Sequence, residues 1–147
     1  METLHIFNTL NSKKEVFNPI DKKHIKIYAC GPTVYNFAHI GNARMAVVFD
    51  TFVRTLRVLY PKVTYVSNIT DIDDKIIDAA KEAGVEISAI TEKYTQIYNE
   101  DMAKLNVLEP DVQPKATEYI PEMIKLIIDL IKKDFAYEKD GHVLFHV

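Results

Sequence analysis

The segment from residue 25 to residue 70 constrains the fold most strongly, because its pattern changes from strand to helix and back to strand. The run IKIYACG at 25–31 is apolar and rich in β-forming residues, and it ends at a Gly-Pro pair. GNARMAVVFDTFVRTLRVLY at 41–60 has helical periodicity, and KVTYVSNIT at 62–70 is again β-branched and apolar. We therefore predict an α/β fold in which two parallel strands are joined by a right-handed helical crossover.

The predicted crossover helix carries an apolar stripe, and Pro61 follows its end. The members of the stripe recur at mostly three- and four-residue spacing: Val47, Val48, Phe52, Leu56 and Leu59. Such a stripe is typical of a helix that packs on a sheet, so these side chains are expected to face the two strands.

A hairpin is predicted before this unit. LHIFNTL at 4–10 and EVFNPI at 15–20 are short alternating runs, and the polar residues 11–14 between them favour a turn. Five lysines make this part of the chain locally basic: Lys13, Lys14, Lys22, Lys23 and Lys26. They are interpreted as a solvated rim that keeps strand edges soluble, with a phosphate-binding patch as the alternative.

From Asp74 the pattern is helical for most of the remaining chain. Gly84 is expected to end one helix, and Ser88 is expected to cap the next. Pro110 and Pro114 are expected to break the pattern again, because proline removes a backbone donor and clashes with the preceding turn.

The last third of the chain predicts one more helix and a second hairpin. The run at 116–135 places six apolar residues on one broad face: Ile120, Met123, Ile124, Ile127, Ile128 and Ile131. AYEKDGHVLFHV at 136–147 reads as two strands around an Asp140-Gly141 turn. The chain stops inside an apolar run, from which we expect that part of the protein is absent.

Composition narrows the class of protein. A chain of 147 residues that is 48% hydrophobic can bury one core, and its formal charge of −3 gives no overall attraction to phosphate backbones. We find neither a run of about 18 apolar residues nor a secretory signal, so a cytoplasmic protein without a membrane span is expected. Cys30 is the single cysteine and cannot form an internal disulfide.

The loop GPTVYNFAHIGNAR at 31–44 is the first candidate site, because open α/β sheets bind ligands outside the carboxyl ends of their strands. It matches neither the dinucleotide fingerprint nor the Walker loop. His39, Gly41 and Asn42 lie at the helix entrance, where backbone N–H groups, imidazole and carboxamide can stabilise charge on a phosphate. The alternative is a histidine that only caps the helix.

Two long motifs carry a family resemblance. IYACGPTVYNFAHIGNAR at 27–44 followed by VTYVSNITDIDDKII at 63–77 resembles the cysteinyl-tRNA synthetase family, and the similarity extends through LNVLEPDVQPKAT at 105–117 and GHVLFHV at 141–147. The resemblance implies a Rossmann-like class I synthetase nucleotide-binding fold, a parallel sheet flanked by helices, which is incomplete here. Residues 1–147 would be the amino-terminal part of the catalytic domain, with its downstream half and an anticodon-binding domain absent.

The resemblance also implies an ATP site. The class I signature, usually spelled H-I-G-H, would comprise Pro32, Thr33, Val34, Tyr35, Asn36, Phe37, Ala38, His39, Ile40, Gly41 and Asn42. Asn42 replaces the second histidine of the signature, and it keeps a hydrogen-bond donor but cannot titrate. His39 and Asn42 are the expected catalytic residues, acting on the phosphates of ATP, which Mg²⁺ accompanies.

Polar residues at the ends of the two parallel strands are expected to contact the amino-acid substrate. The predicted cysteine-binding residues are Gly31, Thr33, Asn68, Thr70 and Asp71. Asp73 and Asp74 are interpreted as helix caps rather than metal ligands.

Cys30 matches the family's first zinc ligand, and Zn²⁺ with an open position can bind the substrate thiolate in preference to the hydroxyl of serine. The four other histidines lack metal-ligand spacing, so the remaining ligands are expected downstream: they are His5, His24, His142 and His146. The alternative is that Cys30 is a small buried hydrophobic residue.

The function implied by the resemblance is that of a cysteine–tRNA ligase, a monomer with ATP, cysteine and tRNA(Cys) as partners. No K-M-S-K-S-like loop is found, so the 147 residues alone are expected to be nearly inactive. Two alternatives stay open: a related ligase that passes cysteine to a small amine, and a non-catalytic nucleotide- or thiol-binding module.

Overall fold

The computed structural model describes residues 3–147, and the first two residues of the predicted domain 1–147 lie outside the described part. β1 (His5–Asn8) and β2 (Lys13–Val16) pair antiparallel, with His5 opposite Val16, so the predicted hairpin is confirmed. The second strand begins at Lys13 rather than Glu15, because the turn closes at Ser12, whose φ is 51°. The turn occupies residues 9–12 and therefore lies two residues earlier than the polar run at 11–14 predicted.

The central unit is the predicted one. β3 (Ile25–Ala29), α1 (Ile40–Leu59) and β4 (Val63–Ser67) follow each other, and β3 pairs with β4 in parallel. Ala29, Val53 and Tyr65 form a buried cluster between this sheet and α1. The strand–helix–strand prediction is therefore confirmed, and the carboxyl ends of both strands open on the same edge.

The stripe predicted for α1 is largely wrong. The buried residues of the helix are Ala46, Asp50, Val53 and Leu56, whereas Val47, Val48 and Leu59 are exposed. Asp50 can be buried because its two oxygens accept hydrogen bonds from Arg54 Nε at 2.8 Å and from Leu108 N at 3.0 Å. A small residue and a paired carboxylate thus occupy the face that the larger apolar residues were expected to fill.

A third parallel segment, residues 112–115, lies beside β4 on the side away from β3. Val66 is bridged to Val112 and Ile69 to Lys115, and Ile69 N donates to Pro114 O at 2.8 Å. Pro114 accepts this bond through its carbonyl but has no N–H to donate back to β4, so the ladder lacks one hydrogen bond there, which a sheet edge tolerates. Pro110 precedes this extended segment and Pro114 lies within it, whereas both prolines were predicted only to break the helical pattern.

α2 (Asp74–Ala83) and α3 (Ile87–Lys104) follow β4 and pack on each other through Ile76, Ala80 and Ile90. Gly84 ends α2, as predicted. The prediction for Ser88 is wrong, because the N-cap of α3 is Glu86, two residues earlier, and its side chain makes no capping hydrogen bond.

A 3₁₀ turn (Ala116–Tyr119) leads into α4 (Ile120–Lys132), which is followed by the antiparallel pair β5 (Ala136–Lys139) and β6 (His142–Phe145). The predicted helix and hairpin are confirmed. The six apolar residues on the broad face of α4 are each between 36% and 52% exposed, so residues 3–147 do not cover this face. No helix within residues 3–147 is long and apolar enough to span a bilayer.

Candidate functional site

His39 and Asn42 hold each other at the start of α1. His39 is the N-cap: its Nδ1 accepts the N–H of Gly41 at 3.0 Å, and its own N–H donates to Asn42 Oδ1 at 3.0 Å. A ring nitrogen that accepts an N–H carries no proton, so in the neutral imidazole the proton is on Nε2. His39 therefore caps the helix and still has its Nε2–H as a hydrogen-bond donor. Only Oδ1 of Asn42 takes part in this pair, so both hydrogens on its Nδ2 remain outside it.

Gly41 is required for this arrangement. A Cβ added at Gly41 would lie 2.8 Å from Cε1 and 2.9 Å from Nδ1 of His39. These contacts are shorter than van der Waals distance, so any other residue would push the ring off the helix start. The spacing of histidine and glycine in the signature is thus explained by local sterics.

A cleft of about 210 Å³ lies beside these residues. One wall is the loop from Pro32 to His39 together with Asn42, which is most of the predicted ATP-binding set; Ile40 and Gly41 do not line it. The opposite wall is formed by Lys75 of α2 with Tyr94 and Tyr98 of α3. Sequence reasoning missed this wall, since nothing in the local pattern says that α3 packs against the loop.

Aromatic and cationic contacts connect the two walls. Phe37 and Tyr94 pack edge to face with ring centroids 5.4 Å apart, and Lys75 Nζ lies 5.3 Å from the centroid of the Tyr35 ring. Burial raises the pKa of Tyr98, and the neighbouring Tyr65 raises it further. Tyr98 therefore stays a neutral hydroxyl at physiological pH.

Four of the five predicted cysteine-binding residues meet at the carboxyl ends of β3 and β4. Asn68 Oδ1 accepts the N–H of Gly31 at 2.9 Å, and Asn68 Nδ2 donates to Thr70 Oγ1 at 3.2 Å. Thr33 is bridged to Thr70 in parallel register. The sheet ladder thus continues past both strands and gathers hydroxyl, amide and backbone groups in one place.

Gly31 is fixed by close packing. A Cβ at this position would lie 1.6 Å from the carbonyl oxygen of Asn68. Because the obstacle is backbone, no side-chain movement can relieve it. The two strand ends can approach each other this closely only with glycine at position 31.

Asp71, the fifth predicted residue, is 6% exposed and has internal partners. Its Oδ1 accepts the N–H of Thr117 at 3.0 Å, and its Oδ2 accepts the Thr117 hydroxyl. Asp73 caps α2 by accepting the N–H of Lys75 at 3.0 Å, as predicted. Asp71 therefore ties the chain just after β4 to the 3₁₀ turn that follows the third parallel segment.

Cys30 is exposed at the end of β3, which contradicts the alternative of a buried hydrophobic residue. Within residues 3–147, no group of three or more His, Cys, Asp or Glu side chains is arranged to hold a metal ion. A single thiolate does not make a zinc site, so Cys30 by itself does not form one.

Comparison with solved structures identifies the fold class. The Mycobacterium tuberculosis methionyl-tRNA synthetase in complex with methionyl-adenylate matches 84% of this chain with a TM-score of 0.69 at 16% identity, over 29% of its own chain. The Agrobacterium radiobacter LeuRS in a ternary complex with tRNA and LeuAMS matches 84% with a TM-score of 0.66 at 20% identity, over 16% of its own chain. The fold is therefore the Rossmann-like fold of class I synthetases, as predicted.

Sequence comparison identifies the family. The model of the "tRNA synthetases class I (C) catalytic domain" matches residues 16–147, and this chain belongs to that family. Proteins named cysteine–tRNA ligase are 60% identical over 144 residues in Parvibaculum lavamentivorans and 57% identical over 145 residues in Rhodospirillum rubrum. The matches cover 98% and 99% of this chain, but only 31% and 32% of those relatives.

Proposed function

We propose that residues 1–147 are the amino-terminal part of the catalytic domain of a cysteine–tRNA ligase that acts in the cytoplasm as a monomer. One observation carries the proposal: the polar cluster at the ends of β3 and β4 and the cleft beside His39 share the loop 31–39. An amino acid in the first and ATP in the second would be neighbours, as formation of a mixed anhydride requires.

In the first step a carboxylate oxygen of cysteine attacks the α-phosphorus of ATP, the bond to the bridging oxygen breaks, and pyrophosphate leaves. His39 Nε2–H and Asn42 Nδ2–H would donate to the phosphate oxygens on which charge develops. Mg²⁺ would accompany the phosphates. Because both side chains are held by the capping pair, they are oriented before ATP binds.

The cysteine substrate would bind at the strand ends. Gly31, Thr33, Asn68 and Thr70 offer backbone, hydroxyl and amide groups to its ammonium and carboxylate groups. Asp71 completes the predicted set, although its carboxylate is occupied by Thr117, so a direct contact with the substrate would need one of those bonds to open.

Cys30 is exposed beside this cluster, where a thiolate can serve as one zinc ligand. The other ligands would come from parts of the protein outside these 147 residues. Zinc would supply selectivity for sulfur over the hydroxyl of serine. In the second step the terminal hydroxyl of tRNA(Cys) attacks the cysteinyl carbonyl carbon, and AMP leaves.

The experiment uses the full-length protein and measures cysteine-dependent exchange of pyrophosphate into ATP, bound zinc, and transfer of cysteine to tRNA. We expect exchange with cysteine but not with serine, about one zinc per chain, loss of zinc in Cys30→Ala, and cysteinyl-tRNA as product. A protein that makes cysteinyl-adenylate but charges only a small amine would contradict the tRNA step. A protein without exchange would contradict the whole proposal.

A further inference from the structure

We propose that Lys75 binds the polyphosphate of ATP in the cleft beside His39. The inference rests on the proposed function for the identity of the ligand, and it adds a residue that the signature loop does not contain. Lys75 comes from α2, and it reaches the cleft from the wall opposite the loop.

The charge of the cleft favours an anion. Among the twelve lining residues Lys75 is the one with a charged side chain, and no carboxylate is present. The other polar groups are mainly donors or neutral hydroxyls from His39, Asn42, Asn36 and the tyrosines. A triphosphate carries several negative charges, so an ammonium group in this wall would contribute a charge-assisted hydrogen bond.

The ammonium group is available for that role. No ion pair among residues 3–147 includes Lys75, although three other lysines have carboxylate partners three residues away on their helices. Its Nζ instead lies 5.3 Å from the ring centroid of Tyr35, a residue of the loop. This contact holds the cation at the cleft without neutralising it.

The position of Lys75 in α2 is electrostatically unfavourable. It is the second residue of α2, where the helix dipole disfavours a positive charge. Asp73 and Asp74, at the cap and the first position, offset this cost. A cation at this unfavourable helix position is consistent with a role in binding, because residues that go against local structural preferences concentrate at functional sites.

The test compares nucleotide binding by full-length variants. Lys75→Met removes the charge at similar length, Lys75→Arg keeps it, and Lys81→Met is the matched control on the same helix, since Lys81 lies outside the cleft and pairs with Asp78 at 3.9 Å. We expect Lys75→Met to raise Kd for ATP by about tenfold or more, the factor for one lost charge-assisted hydrogen bond, and to leave Kd for adenosine within about twofold. Lys75→Arg and Lys81→Met should stay near wild type.

Equal ATP affinity in Lys75→Met and wild type would overturn the inference, as would an equal loss for ATP and adenosine, which would indicate a structural role. Thermal unfolding of each variant separates misfolding from loss of contact, and Lys75→Gln, which also removes the charge, takes the place of Lys75→Met if that variant fails to fold. The readout is binding, so the inference can be judged even if cysteine-dependent exchange is absent from the wild-type protein. Absence of exchange contradicts the proposed function instead.

Discussion

The buried carboxylate of Asp71 accepts hydrogen bonds from both the backbone N–H and the hydroxyl of Thr117. This pair joins the end of β4 to the start of the 3₁₀ turn that follows the third parallel segment. The polar end of β4, where Asn68 and Thr70 lie, is therefore fastened on one side by β3 and on the other by Thr117.

We expect Thr117→Val to lower the free energy of unfolding by about 1–3 kcal/mol, because one oxygen of a buried carboxylate loses its donor. Urea unfolding followed by circular dichroism measures the change. Thr9→Val, at an exposed turn position, is the control and should stay within about 0.5 kcal/mol of wild type. A Thr117→Val protein as stable as wild type would show that the pair does not fasten β4.

Gly31→Ala should be strongly destabilising, by about 3 kcal/mol or more, because its Cβ would have to displace the backbone of Asn68. The midpoint of urea unfolding checks this. Adding Asn68→Ala should give no recovery, since the obstacle is the carbonyl oxygen and not the side chain. Recovery in the double variant would contradict the assigned clash.

Gly41→Ala should behave differently, because the atoms in its way belong to the movable ring of His39. We expect stability to change by no more than about 1 kcal/mol, since alanine has the higher helix propensity but the cap is lost. Cysteine-dependent pyrophosphate exchange by the full-length enzyme should nevertheless fall, because the ring leaves its place at the cleft.

His39→Ala should slow the same exchange about 100-fold or more, the usual effect of removing an oxyanion-type donor. Combined with Gly41→Ala, it should show little further loss, because both changes remove the same oriented imidazole. Additive losses would mean that Gly41 acts independently of His39.

Stability should decline at alkaline pH partly through Tyr98. Burial raises the pKa of this phenol above its ordinary value of 10.0, so the folded state holds the proton more tightly than the unfolded state. Its contribution is full below pH 10 and is lost as the pH rises through the folded-state pKa. The free energy of unfolding of Tyr98→Phe should therefore fall less steeply above pH 10 than that of the wild type. A steeper fall would contradict the assignment.

Sequence alone determined the central unit and the place of the site. The β-branched runs, the helical period and the Gly-Pro pair are local signals, and the carboxyl ends of parallel strands must share an edge. The place of His39 at the start of α1, and of Gly31 and Asn68 at the ends of the two strands, follows from these local signals. The family resemblance rested on the same two motifs, and the match of the family model to residues 16–147 confirmed it.

Only the tertiary structure decided which groups meet across the chain. The apolar stripe placed the wrong face of α1 inward, because the burial of Asp50 depends on Leu108, 58 residues away. The cleft wall formed by Lys75 and Tyr94 and the bond between Asp71 and Thr117 likewise join residues distant in sequence. The periodicity of apolar residues reports which face of a single helix or strand is buried. The partner of a buried charge, and the residues that line the second wall of a cleft, are set by packing between elements, and local sequence patterns do not encode that packing.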